Sequence, residues 1–312
     1  MKIAILDDYQ NCVPTLSCFP KLRDHNVTVF NDTLKSTTAL AERLKPFEAV
    51  VLTRQRTNIT RKLLQSLPNL KLISQTGKVG SHIDLKACED LGVTVMDGEG
   101  TGEATAELNI LLILAALRNL PTEINRMRDG KWQGTLGRKL SGKTLGVYGY
   151  GKIGQQICEL GKAFGANLLV WGRESSISKA IADGYGVAKS RESFFSSCDI
   201  LSVQLRLTPE TAHIIKLADL QLMKHDALFV NASRAELVEP GALEIALKMG
   251  RPGHAAVDVY EDEPVFDSKH PLLQLPNCLC TPHLGFVEKD NYEAYYGIAF
   301  DNILEFNSIN TK

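Results

Sequence analysis

A glycine pattern near the middle of the chain, Gly149-Tyr150-Gly151-Lys152-Ile153-Gly154, constrains the fold more than any other segment. It follows an apolar stretch at 144–148 and opens a helical pattern over 152–164, and a second apolar stretch lies at 167–171. In this setting the first glycine permits a tight turn, the second lets the backbone approach a pyrophosphate, and the third lets helix pack on strand. The helix N-terminus adds free N–H groups and partial positive charge. The segment therefore predicts a dinucleotide-binding turn within a βαβ unit.

The 312-residue chain is longer than a single hydrophobic core usually covers, so we expect two domains. Short apolar strands alternate with helical patterns on both sides of the glycine turn, which indicates parallel α/β structure. A helical pattern at 291–306 lies beyond the last strand. We expect it to cross back onto the first domain, because a nucleotide-binding sheet of about six strands is complete by then. The predicted strands are 3–6, 27–30, 49–52, 71–74, 93–96, 144–148, 168–171, 200–204, 228–231, 255–259 and 278–281, and the helices before the turn are 36–44, 60–67 and 85–91.

Composition and charge argue against several classes of function. The formal net charge of −1 leaves no electrostatic footprint for nucleic acid or an anionic membrane. None of the seven cysteines belongs to a C-x-x-C pair, so we expect neither a metal site nor a disulfide framework. The first residues form a strand pattern and not a signal peptide, and the longest apolar run, 110–117, is too short to cross a bilayer. We expect a cytoplasmic protein that acts on a small molecule, with no nucleic-acid or membrane partner.

Three polar residues follow predicted strands in the second half of the chain. Arg234 comes after one strand, Glu263 after the next and His283 after the last. The carboxyl ends of parallel strands meet at one edge of a sheet, where open α/β sheets bind their ligands. A guanidinium there can bind a carboxylate, an imidazole can transfer a proton, and a carboxylate can hold the imidazole. This set predicts the reduction of a 2-oxo acid.

These residues lie in segments that resemble the D-isomer-specific 2-hydroxyacid dehydrogenase family, which includes D-lactate, D-glycerate and phosphoglycerate dehydrogenases and glyoxylate/hydroxypyruvate reductases. The resemblance covers essentially the whole chain. Besides the glycine turn, it rests on Asn231-Ala232-Ser233-Arg234, Asp258-Val259-Tyr260 continuing to Glu263-Pro264, Thr281-Pro282-His283, Leu207-Thr208-Pro209-Glu210-Thr211 and His82-Ile83-Asp84-Leu85. It implies a Rossmann nucleotide-binding domain, residues 102–285, inserted in a smaller flavodoxin-like parallel α/β substrate domain, residues 1–101 plus 286–312.

The resemblance also implies roles for single residues of the nucleotide-binding domain. Arg234 binds the substrate carboxylate and carbonyl. His283 is the acid and base, and it also contacts the substrate. Glu263 orients His283, and Asp258 contacts the nicotinamide carboxamide.

In the substrate domain, the resemblance points to Gly77-Lys78-Val79-Gly80, where the family presents backbone N–H groups to the substrate carboxylate. Val79 replaces a glycine of the family's loop, and Lys78 adds a positive charge. Arg54 lies where related dehydrogenases often carry an arginine that faces the substrate. We expect Arg54, Lys78 and Val79 to contact the substrate, and the two cations to recognise a second anionic group.

Cofactor choice depends on the end of the second strand of the nucleotide-binding domain, Trp171-Gly172-Arg173-Glu174. An NAD-specific enzyme usually has an acidic residue there that bonds the ribose hydroxyls. Gly172 takes its place, and Arg173 can pair with a 2′-phosphate with help from Ser175, so NADP(H) is favoured. A ribose contact by Glu174 would restore NAD(H), which is the alternative. The residues expected at the cofactor are Gly149, Gly151, Lys152, Ile153, Gly154, Gly172, Arg173, Glu174, Ser175, Leu205 and Asp258.

The predicted function is hydride transfer between a nicotinamide cofactor and a small D-2-hydroxy acid or 2-oxo acid, such as glyoxylate or hydroxypyruvate. Two alternatives stay open: a non-catalytic dinucleotide sensor on the same fold, because fold alone does not establish catalysis, and a phosphoglycerate dehydrogenase. We also expect a homodimer formed through the nucleotide-binding domains. The apolar helix predicted at 108–120 and the segment around Trp132 resemble the family's dimerisation region.

Overall fold

The computed structural model of the protein describes residues 1–310. Contacts between α-carbons divide the chain into two compact units. The first contains Met1–Thr101 and the chain from Glu288 onward, and the second contains Gly102–Val287. Each unit has its own parallel sheet, which confirms the predicted α/β class with a Rossmann domain and a second parallel α/β domain.

The first unit is built on a five-stranded parallel sheet. Its strands are β1 Lys2–Ile5, β2 Asn26–Val29, β3 Ala49–Leu52, β4 Leu72–Gln75 and β5 Thr94–Met96, and its helices before the second unit are α1 Thr37–Leu44, α2 Arg61–Leu64 and α3 Leu85–Asp90, with 3-10 turns at Val13–Thr15 and Phe19–Leu22. The strand order β2-β1-β3-β4-β5 is the flavodoxin-like order. β3 and β4 are buried along their whole length, as strands covered on both faces must be.

The second unit contains a seven-stranded parallel sheet in the order β12-β11-β10-β9-β6-β7-β8. Its strands are β6 Thr144–Tyr148, β7 Asn167–Trp171, β8 Gly186–Val187, β9 Ile200–Val203, β10 Leu228–Asn231, β11 His254–Val257 and β12 Cys278–Cys280. Its helices are α4 Glu103–Leu117, α5 Leu120–Arg128, α6 Lys152–Ala163, α7 Glu174–Ala182, α8 Arg191–Ser197, α9 Leu217–Leu222 and α10 Ala242–Lys248, with 3-10 turns at Ala235–Leu237 and Pro271–Gln274. The order of the strands reverses between β6 and β9, where a doubly wound sheet binds its nucleotide.

The chain returns to the first unit with α11, Lys289–Asn310. The hydroxyl of the buried Tyr296 lies 2.7 Å from Oγ1 of Thr53, which directly follows β3. On β4, the Ser74 hydroxyl donates to the Ala299 carbonyl at 2.8 Å. The last helix therefore packs on the sheet formed by the first part of the chain.

The structure corrects three details of the predicted elements. The apolar helix expected at 108–120 ends at Leu117, because Asn119 adopts a left-handed φ of 51° and α5 starts after it. The helix expected at 60–67 closes after one turn, at Leu64. The second sheet has seven strands and not about six, because the two residues of β8 form an edge strand too short to leave an apolar pattern.

A search of residues 1–310 for a helix that could span a membrane finds no single helix long and apolar enough. Two consecutive helices, Glu103–Leu117 and Leu120–Arg128, are together long and apolar enough, but the chain bends by 61° at the break between them. Much of α4 is buried within the second unit, including Ile110 and Ile113.

Candidate active site

The three glycines of the turn after β6 meet three different surroundings. Gly149 has a left-handed φ of 103°, and a Cβ atom there would lie 2.5 Å from the Gln204 carbonyl oxygen. A Cβ on Gly154 would lie 2.2 Å from the Gly149 carbonyl oxygen, so α6 can approach the turn only through a glycine. A Cβ on Gly151 would meet nothing within 4 Å. The protein itself therefore demands the first and third glycines and leaves open space at the second.

That open space lies at the N-terminus of α6, where Gly151 is the N-cap and has no side chain to accept the first-turn N–H groups. Helix N-termini of this kind bind phosphate oxygens. Lys152 and Ile153 are the first residues of α6, and a Leu205 methyl lies 3.0 Å from the Cβ position of Gly149. The turn thus has the shape and the donors that a dinucleotide pyrophosphate needs.

Gly172, at the end of β7, lies beside this turn. A Cβ placed on Gly172 would lie 3.7 Å from the Gly149 α-carbon and 3.2 Å from Cβ of Ser176. The next three residues are exposed: Arg173 is the N-cap of α7, and Glu174 and Ser175 begin that helix. The end of β7 therefore lies beside the glycine turn, and the three residues that follow Gly172 carry a cation, an anion and a hydroxyl in that order.

His283 follows β12 and has a left-handed φ of 52°. Its Nδ1 atom lies 2.6 Å from Oε2 of Glu263, and Oε1 of Glu263 accepts the Tyr260 N–H at 2.9 Å. The Phe286 ring packs edge-on against the imidazole with the ring centres 5.3 Å apart. About a quarter of each side chain of the pair is exposed, 24% for His283 and 25% for Glu263. Because Glu263 holds Nδ1, Nε2 is the nitrogen left to exchange a proton with a ligand.

The charge state of Glu263 follows from its neighbours. Burial alone would raise the pKa of this carboxyl, but its hydrogen bond to His283 and the charge of the imidazole outweigh burial. The Tyr260 N–H and the charge of Arg234 act in the same direction, and the pKa lies below its ordinary value. Glu263 is therefore a carboxylate throughout the neutral range.

The loop after β10 brings Arg234 to the same place. Asn231, the last residue of β10, bonds two consecutive residues of this loop: its Nδ2 donates to the Arg234 carbonyl at 2.9 Å and its Oδ1 accepts the Ser233 N–H at 3.0 Å. The Ser233 hydroxyl donates to the Val203 carbonyl at 2.7 Å, which ties the loop to the end of β9. Arg234 lies near enough to Glu263 to lower the pKa of that carboxyl. The three residues predicted from strand ends are thus neighbours.

The side chain of Asp258, the residue predicted to contact the nicotinamide carboxamide, is fully buried. Its Oδ1 accepts the Thr281 hydroxyl at 2.6 Å and the Leu284 N–H at 2.8 Å, and its Oδ2 accepts the Gly285 N–H at 2.8 Å. Burial raises the pKa of this carboxyl, against the effect of these donors. In this structure Asp258 holds the loop that carries His283, and its contact with the nicotinamide carboxamide stays a prediction.

In the first unit, Arg54 follows β3 with a left-handed φ of 56°. Its N–H donates to the Thr76 hydroxyl at 2.8 Å, and its guanidinium lies 4.9 Å from the centre of the Tyr295 ring. A Cβ on Gly77 would lie 1.9 Å from Nη1 of Arg54, so the arginine is seated directly against the predicted substrate loop.

Lys78 and Val79 are engaged within the first unit. The Lys78 ammonium lies 3.1 Å from Glu99 and 3.7 Å from Asp97. The Glu99 hydrogen bond, followed by the Asp97 charge, raises the pKa of Lys78. The Val79 N–H donates to Asp97 at 3.0 Å. The Lys78 ammonium, expected at a second anionic group, and the Val79 N–H, expected at the substrate, therefore each have a protein carboxylate as a partner here.

Comparisons with known proteins identify the relatives of this site. The family model "D-isomer specific 2-hydroxyacid dehydrogenase, NAD binding domain" matches residues 110–285. The chain is 36% identical over 256 residues to a glyoxylate reductase of Aeropyrum pernix, with coverage of 78% of this chain and 75% of the relative. The chain belongs to the D-isomer specific 2-hydroxyacid dehydrogenase family.

Other members of the family are similar over different lengths. The crystal structure of a phosphoglycerate oxidoreductase from Vibrio cholerae o395 is 55% identical in sequence and superimposes with a TM-score of 0.97, with coverage of 99% of both chains. A D-3-phosphoglycerate dehydrogenase of Methanocaldococcus jannaschii is 36% identical over 269 residues, which are 85% of this chain and 50% of the relative. The chain thus spans about half the length of some of the curated relatives that it matches.

As a member of the 2-hydroxyacid dehydrogenase family, the chain carries a domain for a nicotinamide cofactor. The residues present fit that group: the open space at Gly151 and the uncapped N-terminus of α6 suit a pyrophosphate. Among residues 1–310, no three His, Cys, Asp or Glu side chains are grouped so that they could hold a metal ion.

Sequence reasoning missed the residues that build the loops of this family's site. Asn231, Ser233 and Thr281 make the bonds that shape the Arg234 and His283 loops, yet each has the appearance of an ordinary polar residue after a strand. The one available signal was position: Asn231 ends a strand, and Ser233 and Thr281 follow one, at the edge where ligands bind. Asn231 bonds within its own loop, but the hydroxyl groups of Ser233 and Thr281 bond residues 30 and 23 positions away, and these partners become visible only in the fold.

Proposed function

We propose that this protein is an oxidoreductase that transfers a hydride between a nicotinamide cofactor and a small D-2-hydroxy acid or the matching 2-oxo acid, such as glyoxylate or hydroxypyruvate. The observation that carries the proposal is the 2.6 Å contact between His283 Nδ1 and Glu263 Oε2 in the same unit as the glycine turn. A carboxylate that holds one imidazole nitrogen and leaves the other free is the arrangement of a general acid and base.

When bound, the nicotinamide supplies the hydride to the carbonyl carbon or accepts it in the reverse direction. The Arg234 guanidinium binds the substrate carboxylate and polarises the carbonyl oxygen. His283 donates its Nε2 proton to that oxygen as negative charge develops on it, and takes the proton back in the oxidation direction. Glu263 fixes the ring orientation and stabilises the protonated imidazole, so that its charge and position are set before substrate arrives.

The resemblance also supports a substrate role for Arg54, Lys78 and Val79, which we retain as part of the proposal. For the Val79 N–H this role requires that the substrate take the place of Asp97, and for Lys78 that it take the place of Glu99 and Asp97. Arg54 and Lys78 favour a second candidate substrate class, a 2-oxo acid with an additional phosphate. The Vibrio relative named as a phosphoglycerate oxidoreductase favours the same class.

For the cofactor we propose NADP(H), with NAD(H) as the alternative. Gly172 supplies no carboxylate to repel a 2′-phosphate, and Arg173 is exposed beside it. Glu174 lies in the first turn of α7, where the helix dipole already favours its negative charge. We further propose a cytoplasmic homodimer. The free thiols of all seven cysteines agree with a reducing compartment, and apolar side chains are exposed along α5 and the segment after it.

A substrate panel tests the proposed function. Glyoxylate, hydroxypyruvate, pyruvate, a longer 2-oxo acid and 3-phosphohydroxypyruvate are each mixed with the protein and with NADPH or NADH, and cofactor absorbance is followed. We expect turnover of at least one short 2-oxo acid and faster reaction with NADPH. A clear preference for the phosphorylated substrate supports the second candidate. Tight cofactor binding without turnover of any substrate identifies a dinucleotide sensor and rejects the dehydrogenase.

A further inference from the structure

Two cysteine thiols lie side by side on the last strand of the second sheet. Cys278 and Cys280 occupy alternate positions of β12, so their side chains point to the same face of the sheet. Their Sγ atoms are 3.6 Å apart, and both residues are partly exposed. Among the strands of residues 1–310, β12 pairs with β11 alone and forms one edge of the sheet.

We propose that Cys278 and Cys280 form a reversible disulfide within β12 that slows the reaction at His283. Residues two apart on a strand have α-carbons about 6.6 Å apart, near the upper end of the range of about 4.4–6.8 Å that disulfides join, and their β-carbons must approach to about 3.8 Å. The two sulfurs must move from 3.6 Å to about 2.05 Å. A strand held on one side only can bend enough to allow this.

Formation of this disulfide requires a two-electron oxidant, and in this proposal the oxidant is hydrogen peroxide. The Cys280 thiolate attacks one peroxide oxygen, the O–O bond breaks, and the leaving hydroxide takes a proton and becomes water. The Cys278 sulfur then attacks the resulting sulfenic acid, loses its proton and displaces a second water. Overall, two thiols and one peroxide give one disulfide and two waters, so the sulfurs lose two electrons and the peroxide gains them.

The surroundings of the pair distinguish it from the other cysteines. The hydrogen bond between the two thiols lowers the pKa of Cys280, whereas that bond and burial raise the pKa of Cys278. By contrast, burial raises the pKa of Cys12 to about 11 and that of Cys158 to about 12. Peroxide reacts with thiolates and not with thiols, so oxidation should begin at Cys280.

β12 leads directly into the loop that carries His283. Thr281 comes next after Cys280; its N–H donates to the Val257 carbonyl at 2.9 Å and its hydroxyl to Asp258 at 2.6 Å. The His283 N–H donates in turn to the Thr281 carbonyl at 3.1 Å. A bend at the thiol pair therefore shifts the anchor of the catalytic loop, which links oxidation to turnover.

Peptide mass measures the bond itself. Lys269 and Lys289 flank a tryptic peptide, residues 270–289, that contains Cys278 and Cys280 and no other cysteine. The full chain is treated with hydrogen peroxide, alkylated with iodoacetamide without reduction, and digested. We expect this peptide to escape alkylation and to be about 2 Da lighter than its dithiol form, and dithiothreitol to restore double alkylation. A peptide that remains doubly alkylated after peroxide treatment rejects the proposal.

Turnover is measured in parallel, and this part rests on the proposed dehydrogenase function. We expect kcat to fall about 10- to 100-fold on oxidation, with little change in cofactor affinity, and to recover with dithiothreitol. Cys278→Ser should abolish the recoverable loss, because Cys280 then has no neighbouring thiol. Cys12→Ser, at a partly exposed cysteine of the first unit, is the control and should behave as wild type.

A disulfide that forms without changing kcat, or a recoverable loss that persists in Cys278→Ser, rejects the switch. The peptide mass reads the bond whether or not any substrate is turned over. Failure of the proposed function and failure of the disulfide are therefore distinguishable.

Discussion

The imidazole of His283 is held through Nδ1, which leaves Nε2 to exchange a proton with the substrate. Glu263 binds Nδ1 at 2.6 Å, and the lowered pKa of Glu263 keeps the partner a carboxylate at neutral pH. Arg234 contributes a positive charge to the same place. At the residue scale, the site is thus a fixed proton carrier beside a cation, and each member can be changed without altering the glycine turn.

His283→Asn should remove the group that protonates the developing alkoxide. We expect kcat to fall by about 10²–10⁴-fold. The dissociation constant of the cofactor, measured by fluorescence titration, should remain close to that of the wild type. A parallel loss of cofactor affinity would show that His283 acts in binding.

Glu263→Gln preserves the shape of the side chain and removes its charge. The protonated imidazole then lacks a neighbouring carboxylate, so we expect the pH profile of kcat/KM to move to lower pH. The free energy of unfolding should also depend on pH through Glu263. Since the folded-state pKa of Glu263 lies below its ordinary value of 4.5, the stabilisation by its ionised form is complete above that pH and is lost as the pH falls through the folded-state pKa.

Urea unfolding of the wild type and of Glu263→Gln from about pH 3 to pH 6 checks the stability part of this prediction. The difference in the free energy of unfolding should shrink toward acid pH. Identical pH profiles of kcat/KM for the two proteins would remove Glu263 from the mechanism.

Arg173→Ala tests the proposed cofactor preference. If the guanidinium pairs with the 2′-phosphate, NADPH binding should weaken by about 1.5–3 kcal/mol while NADH binding stays nearly unchanged. Gly172→Asp is the complementary variant and should favour NADH, although its Cβ would lie 3.2 Å from Ser176 Cβ and requires a small shift there. If Arg173→Ala lost affinity for both cofactors equally, Glu174 and not Arg173 would be the residue that determines cofactor specificity.

At the scale of elements, the turn between β6 and α6 shows how one motif combines folding and binding. Gly149 and Gly154 are needed because carbonyl oxygens of the protein occupy the space that a Cβ would take. Gly151 is different: its φ of −85° suits any residue and nothing in the protein opposes a Cβ. We therefore propose that the requirement for glycine there comes from the cofactor.

Gly151→Ala and Gly154→Ala form a matched pair with opposite expected results. Gly154→Ala should lower the free energy of unfolding by about 1–3 kcal/mol, because the added methyl must displace backbone. Gly151→Ala should keep the wild-type stability and lose cofactor affinity. Thermal unfolding and cofactor titration of both variants measure the two effects. Reduced stability of Gly151→Ala, with cofactor binding intact, would contradict this account of the turn.

At the scale of the whole molecule, the exposed apolar surface indicates assembly. Met127, Trp132 and Leu136 are exposed to 63%, 72% and 96%, although each is large and apolar. The segment that carries Leu136 is not loose, because the Glu123 carboxylate accepts the Gly134 N–H at 3.1 Å and the Thr135 hydroxyl at 2.7 Å. An ordered apolar surface of this kind is typical of a subunit interface.

Leu136→Asp should convert the proposed homodimer into a monomer at micromolar concentration, because the charge would be buried in the interface. Sedimentation velocity of the wild type and the variant measures the change. Leu85→Asp, at an exposed leucine outside this surface, is the control and should leave the assembly unchanged. A wild-type protein that sediments as a monomer would end the homodimer proposal.

The sequence alone was sufficient for the alternation of strands and helices and for the glycine turn. Most predicted strands agree with the structure within one or two residues, because a buried parallel strand is a continuous apolar run whatever it packs against. Arg234, Glu263 and His283 were also predictable, since each ends or follows a strand whose carboxyl end lies at the ligand-binding edge. These features depend on local pattern.

Tertiary structure alone decided what surrounds those residues. The three donors to Asp258 come from positions 23 to 27 residues later in the chain, so no local pattern distinguishes a carboxylate that holds a loop from one that contacts a cofactor. The pairing of Lys78 and the Val79 N–H with Asp97 likewise arises where two loops meet. Hydrogen bonds and charge pairs act over a few ångströms in space. The order of residues therefore determined the strands, helices and glycine turn of this protein. The folding of those elements against one another determined which groups each site residue bonds.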